Sequence, residues 1–302
     1  MRLVVTGREG QVAASLLEAG QGRAGVEVIA IGRPELDLAK PDTVIDAIAA
    51  AKPDIVVSAA AYTAVDQAED EPDLAFAVNA VGAGKVAEAA RRLGVPVIHL
   101  STDYVFDGTK AGSYVETDAP APRNAYGVSK LAGEQAVAAA NPRHLILRTA
   151  WAYSPFGRNF VKTMLKLAAD RDEIAVVADQ WGNPTSALDI ADAILHAAAM
   201  MHPNMGFSSF GAYHLVGTGE TNWSGFARHI LDSSRLFGGP WARVRDIATT
   251  DYPTKARRPA NSRLSTAKFT ATFGWTAPEW QQSTKEIVSR LLDGQTGHGS
   301  NV

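Results

Sequence analysis

The sequence predicts an α/β protein built on a doubly wound parallel sheet. In the first half, short β-branched runs alternate with longer, Ala-rich stretches of helical period, which is the pattern of consecutive βαβ units. The β-branched runs are apolar almost throughout, as expected of strands that helices cover on both faces. After residue 151 the alternation fades and Gly, Pro and aromatic residues become scattered. A smaller, mixed C-terminal lobe is therefore expected to follow the sheet.

Five strands are predicted in the first half, with helices in the connections. The strands are residues 2–6, 26–31, 54–59, 95–100 and 144–148, and the clearest helices are residues 10–19, 41–51, 73–93 and 125–140. We assign residues 1–149 to the sheet domain and residues 150–293 mainly to the second lobe. The β-like runs at 174–178 and 212–216 are candidates to rejoin the first sheet. Residues 294–302 contain three glycines and are predicted to form a flexible tail.

Composition excludes several classes of protein. The chain has 302 residues, of which 46% are apolar and 20% charged, so global disorder is excluded. A net charge of -3 supplies no broad positive field, and we expect neither nucleic acid nor a membrane as a partner. The absence of cysteine excludes disulfides, thiolate nucleophiles and Cys-ligated zinc. Because neither a membrane span of about 18 apolar residues nor a signal peptide is present, we expect a cytoplasmic protein.

A glycine-rich turn directly follows the first predicted strand. Gly7, Gly10 and Ala13 have the G-x-x-G-x-x-[GA] spacing of a dinucleotide-binding turn. Gly7 suits the tight turn, Gly10 lets the backbone approach a pyrophosphate, and Ala13 allows the helix to pack closely on the strand. The helix N-terminus adds free N–H groups and a partial positive charge. A plain glycine turn is the alternative, but a turn that begins an α/β chain favours a Rossmann-like site for NAD(P).

The residue that follows the second predicted strand bears on the choice of cofactor. At this point an NAD site usually carries an acid for the ribose 2′-hydroxyl, whereas an NADP site carries a cation for the 2′-phosphate. Here the residue is Arg33, which favours NADPH and leaves NADH as the second cofactor. A solvated surface arginine is the other interpretation. Asp37, four residues further on, is a candidate contact to the ribose or the adenine.

A tyrosine and a lysine stand four residues apart at the start of a predicted helix. Tyr126 and Lys130 therefore project from one helix face. Because a nearby ammonium stabilises a phenolate, we expect Lys130 to bring the pKa of Tyr126 from about 10 toward neutrality, for proton exchange with a substrate oxygen. Thr102 follows the fourth predicted strand, at the sheet edge where ligands of open α/β sheets bind. These three residues form the candidate catalytic set.

In this order, the glycine turn, Thr102 and the Tyr126/Lys130 pair resemble the extended short-chain dehydrogenase/reductase superfamily. Five strings sharpen the resemblance to the dTDP-4-dehydrorhamnose reductase family, namely residues 59–66, 101–108, 148–151, 179–185 and 258–262. The resemblance covers about residues 1–290. It implies NAD(P)H-dependent reduction of the 4-keto group of dTDP-4-dehydro-L-rhamnose, a dTDP-sugar substrate, to give dTDP-L-rhamnose.

The resemblance also implies a role for each matching residue. Tyr126 would donate the proton, Lys130 would bind the nicotinamide ribose, and Thr102 would polarise the ketone. The implied cofactor contacts are Gly10, Gln11 and Val12 at the pyrophosphate, Asp37 and Leu38 at the adenosine, and Ala60, Ala61 and Tyr62 along the cofactor. Asp103 and Trp151 would face the sugar. For Asp103 the alternative is a bond to its own loop, and for Trp151 it is a place in the core.

Two further features receive no role from the sequence. A basic cluster at residues 255–263 could neutralise the substrate diphosphate or form a solvated face. Some members of the family hold Mg²⁺ at a dimer interface, but here the first helix has Ser15 and Glu18 with no alignable carboxylate pattern. The histidines lack metal-ligand spacing, and we predict no metal. The sequence leaves open whether the chain forms a homodimer.

Two other functions compete with the reductase. A nucleotide-sugar epimerase of the same superfamily uses the same Tyr/Lys pair. A non-catalytic, NADP-binding regulatory subunit shares the fold, although the intact Thr102, Tyr126 and Lys130 disfavour it. A dehydratase would carry Asp-Glu after the threonine, whereas here Asp103 precedes Tyr104, so dehydration is disfavoured.

Overall fold

The computed structural model describes residues 1–202 and 205–296 of the chain. The strands are β1 (Arg2–Thr6), β2 (Glu27–Ile31), β3 (Ile55–Ser58), β4 (Val97–Thr102), β5 (His144–Thr149), β6 (Ala152–Tyr153), β7 (Glu173–Val177), β8 (Trp181–Gly182), β9 (Thr185–Ser186), β10 (Gly211–His214), β11 (Thr221–Asn222) and β12 (Arg243–Ile247). The helices are α1 (Gln11–Gln21), α2 (Val44–Ala50), α3 (Pro72–Phe76), α4 (Ala83–Arg92), α5 (Ala125–Ala140), α6 (Phe160–Asp170), α7 (Ala187–Met201), α8 (Trp223–Leu236), α9 (Ala267–Phe273) and α10 (Trp280–Thr296).

Six parallel strands form the central sheet, in the order β10-β5-β4-β3-β1-β2. From β1 the chain passes to β2 on one side and then returns to β3 on the other side. Ligands of such sheets bind in the crevice where the order reverses, outside the carboxyl ends of the strands. The predicted α/β, doubly wound, Rossmann-like fold class is confirmed.

Helices cover both faces of this sheet because both faces of its strands are apolar. Leu3, Val57 and Leu147 belong to the core cluster that includes α1 and α7. Val56 and Ile146 belong to the cluster on the opposite face, which includes α2, α4 and α5. Successive residues of a strand point to opposite faces, so a strand that is apolar throughout fills two cores.

A separate core lies in the second half of the chain, between α6, α8, α10 and the strands β7 and β12. The segment predicted as 174–178 forms β7, which pairs in parallel with β12 outside the central sheet. The suggestion that it rejoins the first sheet is therefore wrong. The segment predicted as 212–216 forms β10, which pairs with β5 at the sheet edge. The division of the chain at residue 149 stays a prediction.

Two predicted helical features differ from the structure. The helix expected over 73–93 is α3 and α4 joined by a π-helical stretch, Ala77–Gly82. In the tail predicted for 294–302, the first three residues continue α10 to Thr296, and residues 297–302 lie outside the described residues. No helix within the described part of the chain combines the length and the apolar character needed to cross a membrane.

Candidate active site

The glycine turn connects β1 to α1 at the crevice. Gly7 has a φ of +95°, which residues with a side chain rarely adopt, and its N–H donates to the carbonyl of Ile31 at 2.7 Å. Gly10 is the N-cap of α1, whose first turn has neither a side-chain cap nor an acidic residue. Apart from Gly10 itself, its two chain neighbours and the backbone of α1, no described atom lies within 4 Å of the Cβ that Gly10 lacks. The exposed N–H groups and the open space fit an anionic diphosphate.

The other residues of the turn point into the protein. Ala13 is buried in the core beneath the sheet, as its small size predicts, and Val12 packs against the same core. Gln11 is the first residue of α1, and its amide nitrogen donates to the carbonyl of Ala152 at 3.3 Å. The side chain of Gln11 therefore lies toward the second lobe.

The segment after β3 closes against the glycine turn. The hydroxyl of Thr6 accepts hydrogen bonds from the N–H groups of Ala59 and Ala60, at 3.1 and 3.0 Å. Tyr62 is held at both backbone groups by Asn79, which accepts from its N–H at 2.8 Å and donates to its carbonyl at 3.0 Å. Residues 60–62 thus line the crevice beside the turn.

Asn79 is a residue that the sequence analysis missed. It is buried in the π-helical stretch and also donates to the hydroxyl of Ser129 at 2.9 Å. Ser129 in turn donates to the carbonyl of Tyr126 at 2.8 Å. Asn79 therefore connects the segment that lines the crevice with the helix that carries the candidate proton donor. An asparagine within an Ala-rich helical run was the available signal.

Thr102 and Tyr126 meet at the carboxyl edge of the sheet. Thr102 is the last residue of β4 and is buried, and its hydroxyl donates to Asp103 at 2.9 Å. Tyr126 lies in the first turn of α5, which Asn124 caps by accepting from the N–H of Gly127 at 2.7 Å. Burial of the phenol raises the pKa of Tyr126 well above its usual range, and the neighbouring Thr102 offsets only part of this shift. Tyr126 is therefore a neutral phenol at pH 7.

The expectation that Lys130 brings the pKa of Tyr126 toward neutrality is wrong in this structure. The buried ammonium of Lys130 donates to the carbonyl of Leu100 at 2.6 Å, and burial dominates at the phenol. Burial also lowers the pKa of Lys130 to about 8, against the opposing influence of the Glu134 carboxylate. Lys130 still lies one helical turn from Tyr126, on the same face of α5.

Asp103 contacts neighbouring residues of its own loop, which is the alternative that the sequence analysis gave to a contact with the sugar. It is buried, and its carboxylate accepts from Thr102. Burial raises the pKa of Asp103 to about 6, and the hydrogen bond from Thr102 offsets part of this rise. A contact to the sugar stays a prediction.

Trp151 lies just beyond β5, whose last residue, Thr149, pairs with Thr102. Its φ of +47° is uncommon for a bulky residue. The indole stacks on Trp223 with ring centroids 3.7 Å apart, and a Cβ on Gly182 would approach it to 2.5 Å. Trp151 is half-buried and packs against the second core. Its predicted contact to the sugar is not tested.

The residues predicted to hold the adenosine follow β2. Arg33 is exposed, and its carbonyl accepts from the Arg8 guanidinium at 3.2 Å. Asp37 is partly buried, and its carboxylate accepts from the N–H of Ala39 at 3.1 Å. The Leu38 side chain lies in the core, so only its backbone is available to a nucleotide.

A buried ion pair beneath the site was also missed. The guanidinium of Arg148, near the end of β5, donates to both carboxylate oxygens of Glu134 on α5, at 2.9 and 2.7 Å. The hydroxyl of Ser101 donates to the same carboxylate at 2.5 Å. Glu134 stands one turn beyond Lys130 on α5, and a charged residue within the apolar run of β5 was the available signal.

The basic residues at 255–263 are largely paired with carboxylates. The ion pairs are Lys255 with Asp70, Arg258 with Asp66, and Arg263 with Glu220. Glu18, considered above for Mg²⁺, accepts two hydrogen bonds from Arg290. Over residues 1–202 and 205–296, no group of three or more His, Asp or Glu is placed to hold a metal ion.

The fold and the meeting of Thr102, Tyr126 and Lys130 at one sheet edge are typical of a class, the extended short-chain dehydrogenases/reductases. The model of the RmlD substrate binding domain family matches residues 1–292, and the chain belongs to this family. A dTDP-4-dehydrorhamnose reductase of Sinorhizobium fredii (strain NBRC 101917 / NGR234) is 53% identical over 97% of this chain and 98% of its own.

Solved structures agree with this assignment. A dTDP-4-dehydrorhamnose reductase from Clostridium acetobutylicum superposes with a TM-score of 0.89 at 37% identity, over 97% of this chain and 100% of the other. The dTDP-4-dehydrorhamnose reductase of Bacillus anthracis, in complex with NADP, has a TM-score of 0.88 at 34% identity, over 95% and 98% of the two chains.

Proposed function

We propose that the chain is an oxidoreductase that uses NADPH to reduce the 4-keto group of dTDP-4-dehydro-L-rhamnose to dTDP-L-rhamnose, with NADH as a second cofactor. The observation on which the proposal depends is a neutral, partly buried phenol, Tyr126, beside Thr102 at the carboxyl edge of the sheet, in a chain whose relatives are named as reductases. Reduction of a ketone consumes a proton, so the group that supplies it must arrive protonated.

The cofactor would be held by the crevice between β1 and β3. The N-terminus of α1 would meet the pyrophosphate, residues 60–62 would line the nicotinamide half, and Arg33 would meet the 2′-phosphate. Lys130 would bind the nicotinamide ribose. When bound, NADPH supplies the hydride that C4 of the sugar accepts.

Two side chains act on the sugar oxygen in this proposal. Tyr126 gives its proton to the alkoxide that develops at C4, so the carbonyl gains one hydride and one proton. Thr102 redirects its hydroxyl from Asp103 to the same oxygen and stabilises the developing charge. Trp151 borders the sugar on the side of the second lobe.

Consumption of the cofactor tests the proposal against its competitors. One mole of NADPH should disappear, measured by its absorbance, for each mole of dTDP-4-dehydro-L-rhamnose supplied, and dTDP-L-rhamnose should form. An epimerase returns its hydride to the substrate and leaves the cofactor unchanged, whereas a regulatory subunit binds NADPH without turnover. Either of those results would overturn the reductase assignment. The assignment of residues 150–293 mainly to the sugar belongs to the same proposal. A cytoplasmic location stays a prediction, and whether the chain forms a homodimer stays open.

A further inference from the structure

The side chain of Gln11 connects the glycine turn to the chain segment after Trp151. Its amide oxygen accepts from the Ser154 hydroxyl at 2.9 Å and from the Asn159 side-chain amide at 3.1 Å. Its amide nitrogen donates to the carbonyl of Ala152 at 3.3 Å. These partners lie 141 to 148 residues further along the chain, so one residue joins two distant parts of the site.

The partners of Gln11 are themselves fixed. Ser154 is fully buried, and its hydroxyl also accepts from the N–H of Phe156 at 3.1 Å. Asn159 caps α6 by accepting from the N–H of Lys162 at 3.2 Å and donates to the carbonyl of Ser154 at 2.8 Å. Gln11 therefore completes a hydrogen-bonded network that spans residues 152–159.

This network begins one residue after Trp151. The left-handed φ of Trp151, +47°, costs free energy and persists only where its surroundings hold it. The N–H of Thr185 donates to the carbonyl of Trp151 at 3.3 Å, and Gln11 holds the next carbonyl, that of Ala152. A displacement of Gln11 is thus transmitted directly to the backbone that presents the indole.

We propose that Gln11 is a positioning residue that couples binding of the cofactor to binding of the sugar. This inference rests on the proposed function. A pyrophosphate at the N-terminus of α1 fixes the backbone of Gln11, and the side chain of Gln11 then fixes residues 152–159 and Trp151. By linkage, the bound sugar tightens the cofactor by the same factor.

The test compares the affinity for dTDP-L-rhamnose, measured by titration calorimetry, with and without saturating NADP⁺. In the wild type we expect NADP⁺ to tighten sugar binding roughly 10-fold, within the usual range of such couplings. Gln11→Leu should reduce this ratio to about 2-fold or less. Asn159→Ser keeps an N-cap hydroxyl for α6 but removes the amide donor to Gln11, so it should lower the same ratio from the other end of the network.

Gln21→Leu is the matched control, because Gln21 is exposed at the far end of the same helix, and it should leave the ratio unchanged. A variant that only disturbs the structure would weaken sugar binding by the same factor with and without NADP⁺, so its ratio would equal that of the wild type. An unchanged ratio in Gln11→Leu and Asn159→Ser, or a wild type that binds the sugar equally well in both conditions, would overturn the inference alone. A wild type that binds no dTDP-L-rhamnose in either condition would overturn the proposed function as well.

Discussion

Removing one partner of the Glu134–Arg148 ion pair should destabilise the protein far more than removing both. The Arg148 and Glu134 side chains are only 5% and 6% exposed, so Glu134→Leu leaves a guanidinium buried without its two hydrogen bonds to the carboxylate. Breaking such a pair costs about 3–5 kcal/mol, whereas replacing both partners by apolar residues is often neutral. We therefore expect about 4 kcal/mol for Glu134→Leu and about 1 kcal/mol or less for Glu134→Leu/Arg148→Met.

Urea and thermal unfolding measure this difference. With an unfolding entropy of about 2.1 cal/mol/K per residue, a loss of ~4 kcal/mol lowers the Tm of a 302-residue chain by roughly 6 °C. Glu88→Leu is the matched control, because Glu88 pairs with Lys85 and Arg92 at the surface of α4 and should cost about 0.5 kcal/mol or less. The reasoning fails if Glu134→Leu costs less than about 1 kcal/mol, or if the double variant is as unstable as the single one.

Three further perturbations test the site and its surroundings. Tyr126→Phe should lower kcat by roughly two to four decades and leave the Kd for NADPH unchanged; near-native turnover would exclude Tyr126 as the proton donor. Arg33→Ala should weaken NADPH by about 1.5–3 kcal/mol without affecting NADH, and an equal loss for both cofactors would make Arg33 a plain surface charge. Burial lowers the pKa of His214 to about 3, so the unfolded chain takes up a proton at this residue below pH ~6.5 while the folded chain does not. The contribution of the neutral His214 ring to the free energy of unfolding is therefore fully present above pH ~6.5. It falls by about 1.4 kcal/mol per pH unit as the pH decreases toward 3. When the pH is lowered from 7 to 5, the free energy of unfolding of His214→Asn should fall by about 2 kcal/mol less than that of the wild type. Urea unfolding at both pH values measures this difference, and equal losses in the two proteins would contradict the reasoning.

The sheet was predictable because its signal is local. A strand that is buried on both faces must be apolar at nearly every position, and β1 (RLVVT) and β3 (IVVS) are marked most clearly in this way. Helix α5 was also predicted at its observed bounds, Ala125–Ala140. The short strands of the second half were not predicted, since two-residue elements such as β8 and β11 depend on tertiary pairing and carry no periodic pattern.

Within the site, the sequence indicated which residues belong together but not how their side chains are oriented. The spacing of Tyr126 and Lys130 predicts a shared helix face, but it does not reveal that Lys130 donates to the carbonyl of Leu100. Similarly, the turn motif points to the backbone of Gln11 and says nothing about a side-chain partner more than 140 residues away. Burial, which decides the pKa of Tyr126, is a property of the assembled fold.

The π-helical stretch Ala77–Gly82 limits how the length of this chain can vary. A π-helical turn amounts to an α-helix that carries one extra residue, so deleting one residue here would restore an ordinary helix. The deletion would rotate α3 against α4 by about 100°, although α4 packs against both the central sheet and α5 and α3 also contacts α5. It would also move Asn79 away from Tyr62 and Ser129, so natural or engineered variants should keep the residue count of this segment even where its sequence changes.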